Sequence, residues 1–344
     1  AETEEALPVL PSRKVAELLR QIMICNKLDA LLVRTLKGSF GLWKLIAAEN
    51  ALSADVRIRK GLALSKSLSA SFAVVYAGGR QIQITNNVAQ DLYNYAVLIE
   101  LTPDNFDGWN VVSEDGSDIY FTDGSGNPLY YWIQEFDRDS RHAKIWVKIP
   151  HIPGSGSTVI TMYFGSENPY PNYNNPRQVF LVFSTFDSDL EGWEYYGCSG
   201  YHASLDTGQG SPPPSAYISG DDYACNAGIR KLIEKEEDVG LLVELDYRAK
   251  SGYSGSTVTN AFVYFMDESW NRIAYEALVA GGTYDTGWKH GVVKKYSELQ
   301  GYTKIYIYLN LRDGWRANWS QRNWYDNVIV RKYVEPEPTV SILS

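Results

Sequence analysis

Histidine is scarce, with 4 in 344 residues, and cysteine and methionine number 3 each. His142, His151, His202 and His290 are scattered, and none pairs at the helical spacing that presents two imidazoles to zinc. Cys25, Cys198 and Cys225 lie too far apart for a short-spaced metal or redox motif. The chain also lacks a nucleophile elbow and a phosphate-cradling glycine loop. Its Asp and Glu are too many to single out the positioned pair that glycoside hydrolysis requires. These absences predict a protein that is not an enzyme. No apolar run reaches the roughly 18 residues that span a bilayer, so no membrane-spanning segment is expected. There is no basic block, and the net charge is −9. Phosphate recognition needs clustered cations, so nucleic acid is an unsuitable partner. The opening "AETEEALPVLP" has neither the basic nor the apolar region of a secretion signal. Either the chain is cytosolic or a signal has been removed, and the modular β composition below favours the second.

What is abundant is aromatic. The chain holds 25 Tyr and 10 Trp, residues that suit half-buried sheet faces because one end is apolar and the other hydrogen-bonds. Hydrophobic residues at 44% and charged residues at 21% exclude a disordered chain, and the length allows two or three domains. Cys198 and Cys225 fall in one expected domain. Either they form a disulfide, which implies an oxidising compartment, or all three cysteines are buried thiols.

Periodicity divides the chain. Residues 1–54 form an expected helical N-terminal region. Ser12 is placed to cap it, and Val15, Leu18, Leu19 and Ile22 recur at helical spacing. From Val56 to Tyr76 the period becomes two, over a stretch longer than an ordinary strand. It belongs either to its own sheet or, over 55–78, to a strand exchanged with a neighbouring subunit. Short strands then recur to residue 165, followed by a Pro-, Asn- and Tyr-rich linker over 166–179 and a second all-β stretch over 180–333. Residues 334–344 read either as a frayed tail or as a strand that pairs elsewhere. The expected fold is mainly β: two jelly-roll-like β-sandwiches, over 55–165 and 180–333, after a short helical region.

Two resemblances support this division. The pieces "QIQITNNVAQDLYNYAVLIEL", "DGSDIYFTDGSGNPLYYWIQEFD" and "AKIWVKIPHIPGSGSTVITMYFG" resemble, over 80–165, a domain-of-unknown-function family of modular secreted archaeal and bacterial proteins. The resemblance implies a β-sandwich and an extracellular setting, with no catalysis to carry over. The pieces "FDSDLEGW", "SAYISG", "LDYRA", "LVAGGTYDTGW" and "WYDNVIV" resemble, over 183–332, carbohydrate-binding and galactose-binding jelly rolls. Such sandwiches also serve as plain spacers. In related jelly rolls a structural calcium ties the first strand to the last. That implies Asp187 and Asp326 as ligands, with Asp189 or Glu191 assisting.

The stretch "RDGWRANWSQRNWYDNVIV" concentrates three tryptophans, Trp315, Trp319 and Trp324. A pyranose is recognised by an aromatic face with polar partners for its hydroxyls. Trp315, Trp319, Arg312, Asp313 and Gln321 offer that combination, with Asn318 and Arg322 beside them and Trp288 and Tyr284 within reach if the strands adjoin. The alternative is that these rings plug a core or cap the sandwich. Asn318 opens the sequon "NWS", and a glycan there would obstruct a sugar site. Alternation places Ile305, Ile307, Leu309 and Leu311 on one face and Tyr306, Tyr308 and Asn310 on the other. It likewise puts Trp324, Asp326, Val328 and Val330 together.

The functional expectation is a non-catalytic extracellular structural or adhesive subunit, associating with copies of itself in a surface assembly such as a strand-exchanged filament. The alternative is a glycan-binding protein or an accessory module of a secreted polysaccharide-degrading system.

Overall fold

A computed structural model describes residues 78–220, 226–251, 260–280, 285–312 and 321–343. The expected helices over 1–54, and all of 55–78 except Gly78, lie outside the described residues. What is described is mainly antiparallel β-structure in two sandwiches. The first pairs two sheets. One contains β1 (Gly78–Thr85), β3 (Tyr120–Thr122), β6 (Ser157–Phe164) and β18 (Thr339–Ile342), in the order β18-β1-β6-β3. The other contains β2 (Leu92–Leu101), β4 (Tyr131–Asp137) and β5 (His142–Ile152), in the order β2-β5-β4. Period-two alternation is what makes these strands two-sided. On β5, Ala143, Ile145, Val147 and Ile149 enter the core, while Lys144, Trp146 and Lys148 alternate with them.

The second sandwich begins with β7 (Val182–Ser184), β8 (Glu194–Tyr196), β9 (Tyr201–Asp206) and β10 (Ser215–Gly220). It continues through β11 (Asn226–Glu234), β12 (Gly240–Ser251), β13 (Asn260–Met266) and β14 (Arg272–Ala280). It closes with β15 (Lys289–Lys295), β16 (Lys304–Arg312) and β17 (Gln321–Tyr333). One sheet runs β15-β12-β17-β10-β9, with β7 also pairing β17, and the other runs β14-β13-β16-β11-β8. Their facing sides interdigitate through Ile229, Leu245, Val263, Phe265, Ile307, Leu309 and Tyr325, all buried.

Within β17 the expected phase fails at one residue. Asn327 takes φ 48, and the pairing with β12 slips between Glu244 and Asp246. Such a bulge sets two residues against one and reverses the side-chain alternation beyond it. Tyr325, Val328 and Val330 therefore all enter the core. Trp324 and Asp326, on the opposite parity to Tyr325, are not on the face of Val328 and Val330 as simple alternation expects.

The sandwiches are joined by packed side chains. The linker forms a one-turn helix α1 (Pro176–Val179), with Asn175 accepting a hydrogen bond from the Arg177 amide and proline at its start. It delivers Val179 and Phe180 onto the outer side of the β2-β5-β4 sheet, where they bury with Ala96, Trp146 and Ile329. Phe180 meets Trp146 and Trp132 edge-on, at ring-centroid distances of 5.5 and 5.7 Å. Val239 and Val334, from the second sandwich's part of the chain, sit in the first core. The chain then returns. β18 pairs antiparallel with β1, Ile342 opposite Ile82 and Val340 opposite Ile84, and both side chains pack on the first core. The terminal strand is thus neither frayed nor donated away; it completes a sheet of its own chain. Glu337 supports the return, receiving Arg331 at 2.8 and 3.0 Å.

Phe180→Ala should cost about 3 kcal/mol of stability by opening a cavity in this joint. Denaturant melts of wild type and variant measure it; a loss under about 1 kcal/mol would mean that the joint is not packed as described.

Candidate functional site: an aromatic face on the second sandwich

The sheet β14-β13-β16-β11-β8 has two apolar-looking sides, and only one is needed for the core. On its outer side a single transverse row crosses all five strands through direct cross-strand pairs. Tyr275 stands opposite Tyr264, Tyr264 opposite Tyr308, Tyr308 opposite Arg230, and Arg230 opposite Glu194. Phe262 and Met266 flank Tyr264 on β13, and Tyr306 flanks Tyr308 on β16. Phe262, Tyr264 and Tyr308 form an apolar cluster separate from the sandwich core.

Ring geometry makes the row continuous. Tyr264 stacks with Tyr275 at 5.8 Å and with Phe262 at 5.6 Å. At the other end Trp270, from the β13–β14 turn, lies parallel to Tyr196 at 4.0 Å and stacks with Tyr306 at 5.2 Å. The Arg230 guanidinium lies over Tyr196, Trp270 and Tyr306 at 4.6, 4.6 and 5.1 Å. It also bonds Glu194 at 3.3 Å. A guanidinium over aromatic faces gains from the ring quadrupoles and holds those rings in place. Arg272 stands over Tyr275 at 4.8 Å. Gly228 is required where Tyr308 crosses it, since a Cβ there would collide with the Tyr308 ring and the Leu309 carbonyl.

Burial separates the scaffold from the accessible rings. Phe262, Tyr264 and Tyr308 are 5–8% exposed, whereas Tyr275 and Tyr196 are 48% and 39% exposed. Burial pushes the Tyr308 hydroxyl well above the usual phenol pKa, and that hydroxyl donates to the Tyr196 carbonyl at 3.1 Å. The buried rings thus fix a surface on which Tyr275, Tyr196, Tyr306, Trp270 and the two arginines remain at least partly accessible. An array of flat apolar faces with charged hydrogen-bonding groups between them suits ligands that are themselves flat, hydroxylated and apolar on one side.

The residues singled out from sequence fare differently. Trp315, Trp319, Asp313 and Asn318 lie outside the described residues, as does the side chain of Arg312. Trp288 is partly buried just before β15, and Gln321 is 1% exposed at the start of β17. Trp324 is buried on β17, its indole donating to Asp206 at 2.8 Å and Arg248 lying 5.3 Å over its ring. Cys198 is disulfide-bonded, while Cys25 and Cys225 lie outside the described residues. The outward alternation of Tyr306 and Tyr308 was legible in "KIYIYLNLR". Arg230, Trp270, Tyr196 and the β13–β14 rings were not singled out. For the β13 rings the available signal was the aromatic excess at both parities of "NAFVYFMD"; Arg230, Trp270 and Tyr196 left no comparable trace.

Around the calcium candidate, Asp187 Oδ2 accepts from Thr185 at 2.6 Å, and Asp326 accepts the amides of Ser211 and Asn327 at 2.7 and 2.8 Å. Burial, aided by the charges of Asp246 and Asp187, raises the Asp326 carboxyl to about 6. Among the described residues no group of three or more His, Cys, Asp or Glu is set to hold a metal. An ion there would need backbone carbonyls for its remaining donors. A serine–histidine contact, Ser219 Oγ to His202 Nε2 at 3.1 Å, joins adjacent strands without a carboxylate on the imidazole among the described residues.

Comparison with known proteins gives partial matches. A family model described as a domain of unknown function, DUF2341, matches residues 115–195. That span runs from the first sandwich through the linker to β8. Uncharacterized protein 562 of Sulfolobus islandicus rod-shaped virus 1 is 26% identical over 115 residues, covering 29% of this chain and 20% of that one. The chain therefore spans about a fifth of that relative's length. The CBM22-1 xylan-binding domain of Paenibacillus barcinonensis Xyn10C is 16% identical, with a TM-score of 0.31, over 44% of this chain and 94% of that one. TmCBM61, solved with β-1,4-galactotriose, is 12% identical, with a TM-score of 0.29, over 44% and 95%.

The raised carboxyl gives a signed pH dependence. Asp326 in the folded state prefers its proton, so its ionisation destabilises the fold. That penalty is absent below the ordinary carboxylate pKa of 3.8, grows as pH rises, and is complete above about 6. Melting temperatures of wild type and Asp326→Asn across this window should diverge, with the wild type losing ground as pH rises. Parallel curves would refute the placement.

Proposed function

We propose that this protein binds polysaccharide without catalysis, through the outer aromatic face of the β14-β13-β16-β11-β8 sheet. The observation that carries the reading is the transverse row Tyr275–Tyr264–Tyr308–Arg230–Glu194, a set of aromatic rings and charges that the sandwich core does not use. A water-facing strand side ordinarily carries small or charged residues. A polymer of pyranose units offers alternating apolar ring faces and hydroxyl edges, which match exposed rings spaced by Arg230 and Arg272. Xylan and galactotriose belong to the proteins that carry those names; for this chain a polysaccharide is our assignment, and its sugar is left to experiment.

The same reading puts the protein outside the cell, where polysaccharide is met and a disulfide persists. We take the partner of Cys198 to be Cys225. In support, β8 pairs with β11, Tyr196 opposite Gly228, which brings the chain after β8 beside the start of β11. The filament reading gains no support from the described residues, because the strand it would donate at the C-terminal end is used within the chain.

Screening against insoluble and soluble polysaccharides by affinity electrophoresis should reveal saturable retardation by at least one polymer. Tyr275→Ala and Tyr196→Ala should each weaken it roughly tenfold. Retention of full affinity by the double variant would reject the face, and an absence of binding across neutral and acidic polymers would reject the function.

Calcium bridging Asp187 and Asp326 is a second element of the proposal, supported by the Asp246 and Asp187 charges that lie near the buried Asp326 carboxyl. Saturating calcium should raise the unfolding midpoint by about 5 °C, and the rise should vanish in Asp326→Asn. An unchanged midpoint on adding calcium or a chelator rules the ion out.

A further inference from the structure

Two turns of this chain are built alike. Asp123-Gly124-Ser125-Gly126-Asn127 follows β3, and Asp267-Glu268-Ser269-Trp270-Asn271 joins β13 to β14. In each, the amide of the first residue donates to the carbonyl of the fifth at 2.9 Å. The amide of the fourth donates to the carbonyl of the first at 3.0 Å. Asp123 Oδ1 accepts the amides of Ser125 and Asn127, both at 2.8 Å, and Asp267 Oδ1 those of Ser269 and Asn271 at 2.9 and 2.7 Å. The asparagine side chain donates to the aspartate Oδ2 at 2.9 Å in both. The fourth residue takes a positive φ in both, 85 at Gly126 and 65 at Trp270.

Glycine adopts that conformation freely, whereas a residue with a Cβ does so only under strain. The first turn shows that its geometry needs no side chain at this place, since a Cβ on Gly126 would meet nothing within 4 Å. Trp270 is therefore held against the preference of its own turn, and strain of this kind marks a residue kept for function. Its ring lies parallel to Tyr196 at 4.0 Å and stacks with Tyr306 at 5.2 Å, and it remains partly exposed. None of these three rings belongs to a sandwich core.

The position of the pair matters as well. Tyr196 is on the β8 edge of the sheet and Tyr275 on the β14 edge. Four strand spacings separate those edges, about 19 Å. One pyranose cannot touch both ends, whereas an extended run of several sugar units can.

We propose that Trp270 is a sugar-stacking residue, and that with Tyr275 it makes the face selective for extended chains over short oligosaccharides. This rests on the polysaccharide reading of the face and adds to it both a residue and a class of substrate.

The test is calorimetry of the full chain with disaccharides and hexasaccharides of the cello-, xylo-, manno-, β-1,4-galacto- and galacturonate series. The wild type should bind the hexasaccharide of at least one series at least about tenfold tighter than its disaccharide. Trp270→Gly gives the second turn the residue of the first. It should melt within about 4 °C of the wild type and bind that hexasaccharide at least about tenfold more weakly, with little change for the disaccharide. Trp270→Phe should keep most of the affinity. Trp270→Ala, which retains a Cβ in the strained conformation, should melt below Trp270→Gly. Full hexasaccharide affinity in Trp270→Gly, with Tyr275→Ala weakened, would overturn the proposal and leave the face standing. Failure of Trp270→Gly to fold would also overturn it, because the ring would then be part of the fold's support. A wild type that binds no member of any series would overturn the proposal together with the reading on which it rests.

Discussion

The joint around Trp146 is the constraint on which the rest of the described structure depends. A three-stranded sheet with apolar residues on both sides cannot stand in water with its outer face bare. Val179 and Phe180 cover that face from the linker and Ile329 from β17, so the first sandwich is complete only when the second is present. The same approach brings Lys148 of β5 and Lys332 of β17 into one cleft. Electrostatic crowding there follows from packing elsewhere.

A comparable division of labour runs through the second sandwich. Its strands β13 and β16 are apolar at both parities, one for the core and one for an outer cluster. Interlocking rings, a guanidinium laid over three of them and a glycine beneath Tyr308 turn that outer cluster into a fixed surface. Preorganised rings lose little rotamer freedom on meeting a ligand, which favours rigid aromatic platforms for weak, repeated contacts.

How much of this was readable in the chain depended on the range of the interaction. Period-two alternation announced β16, because it is a property of neighbouring residues. The bulge at Asn327 was not readable, since a positive φ in a strand-prone run leaves no periodic trace, and Asp326 was consequently assigned the wrong neighbours. The destination of "TVSI" was likewise hidden: its partner Ile82 lies some 260 residues away, beyond any local pattern. For the site, Tyr306 and Tyr308 were legible on the outer face. Trp270 was not, because a turn residue folding over a sheet is fixed by tertiary packing alone. The attention given to Trp315 and Trp319 followed local aromatic density, which says nothing about which sheet face is left over.

The pairing of β18 with β1 has a mechanical consequence. Ile342 lies opposite Ile82 and the Leu343 amide reaches the Gln81 carbonyl, so the chain enters and leaves this body at the same end of one antiparallel pair. Tension between those two points would act across the ladder and peel its hydrogen bonds in succession, whereas strands pulled lengthwise resist all together. The body would thus yield first at its own seam, releasing β18 and uncovering the side of the first core against which Val340 and Ile342 pack, while the second interior stayed closed.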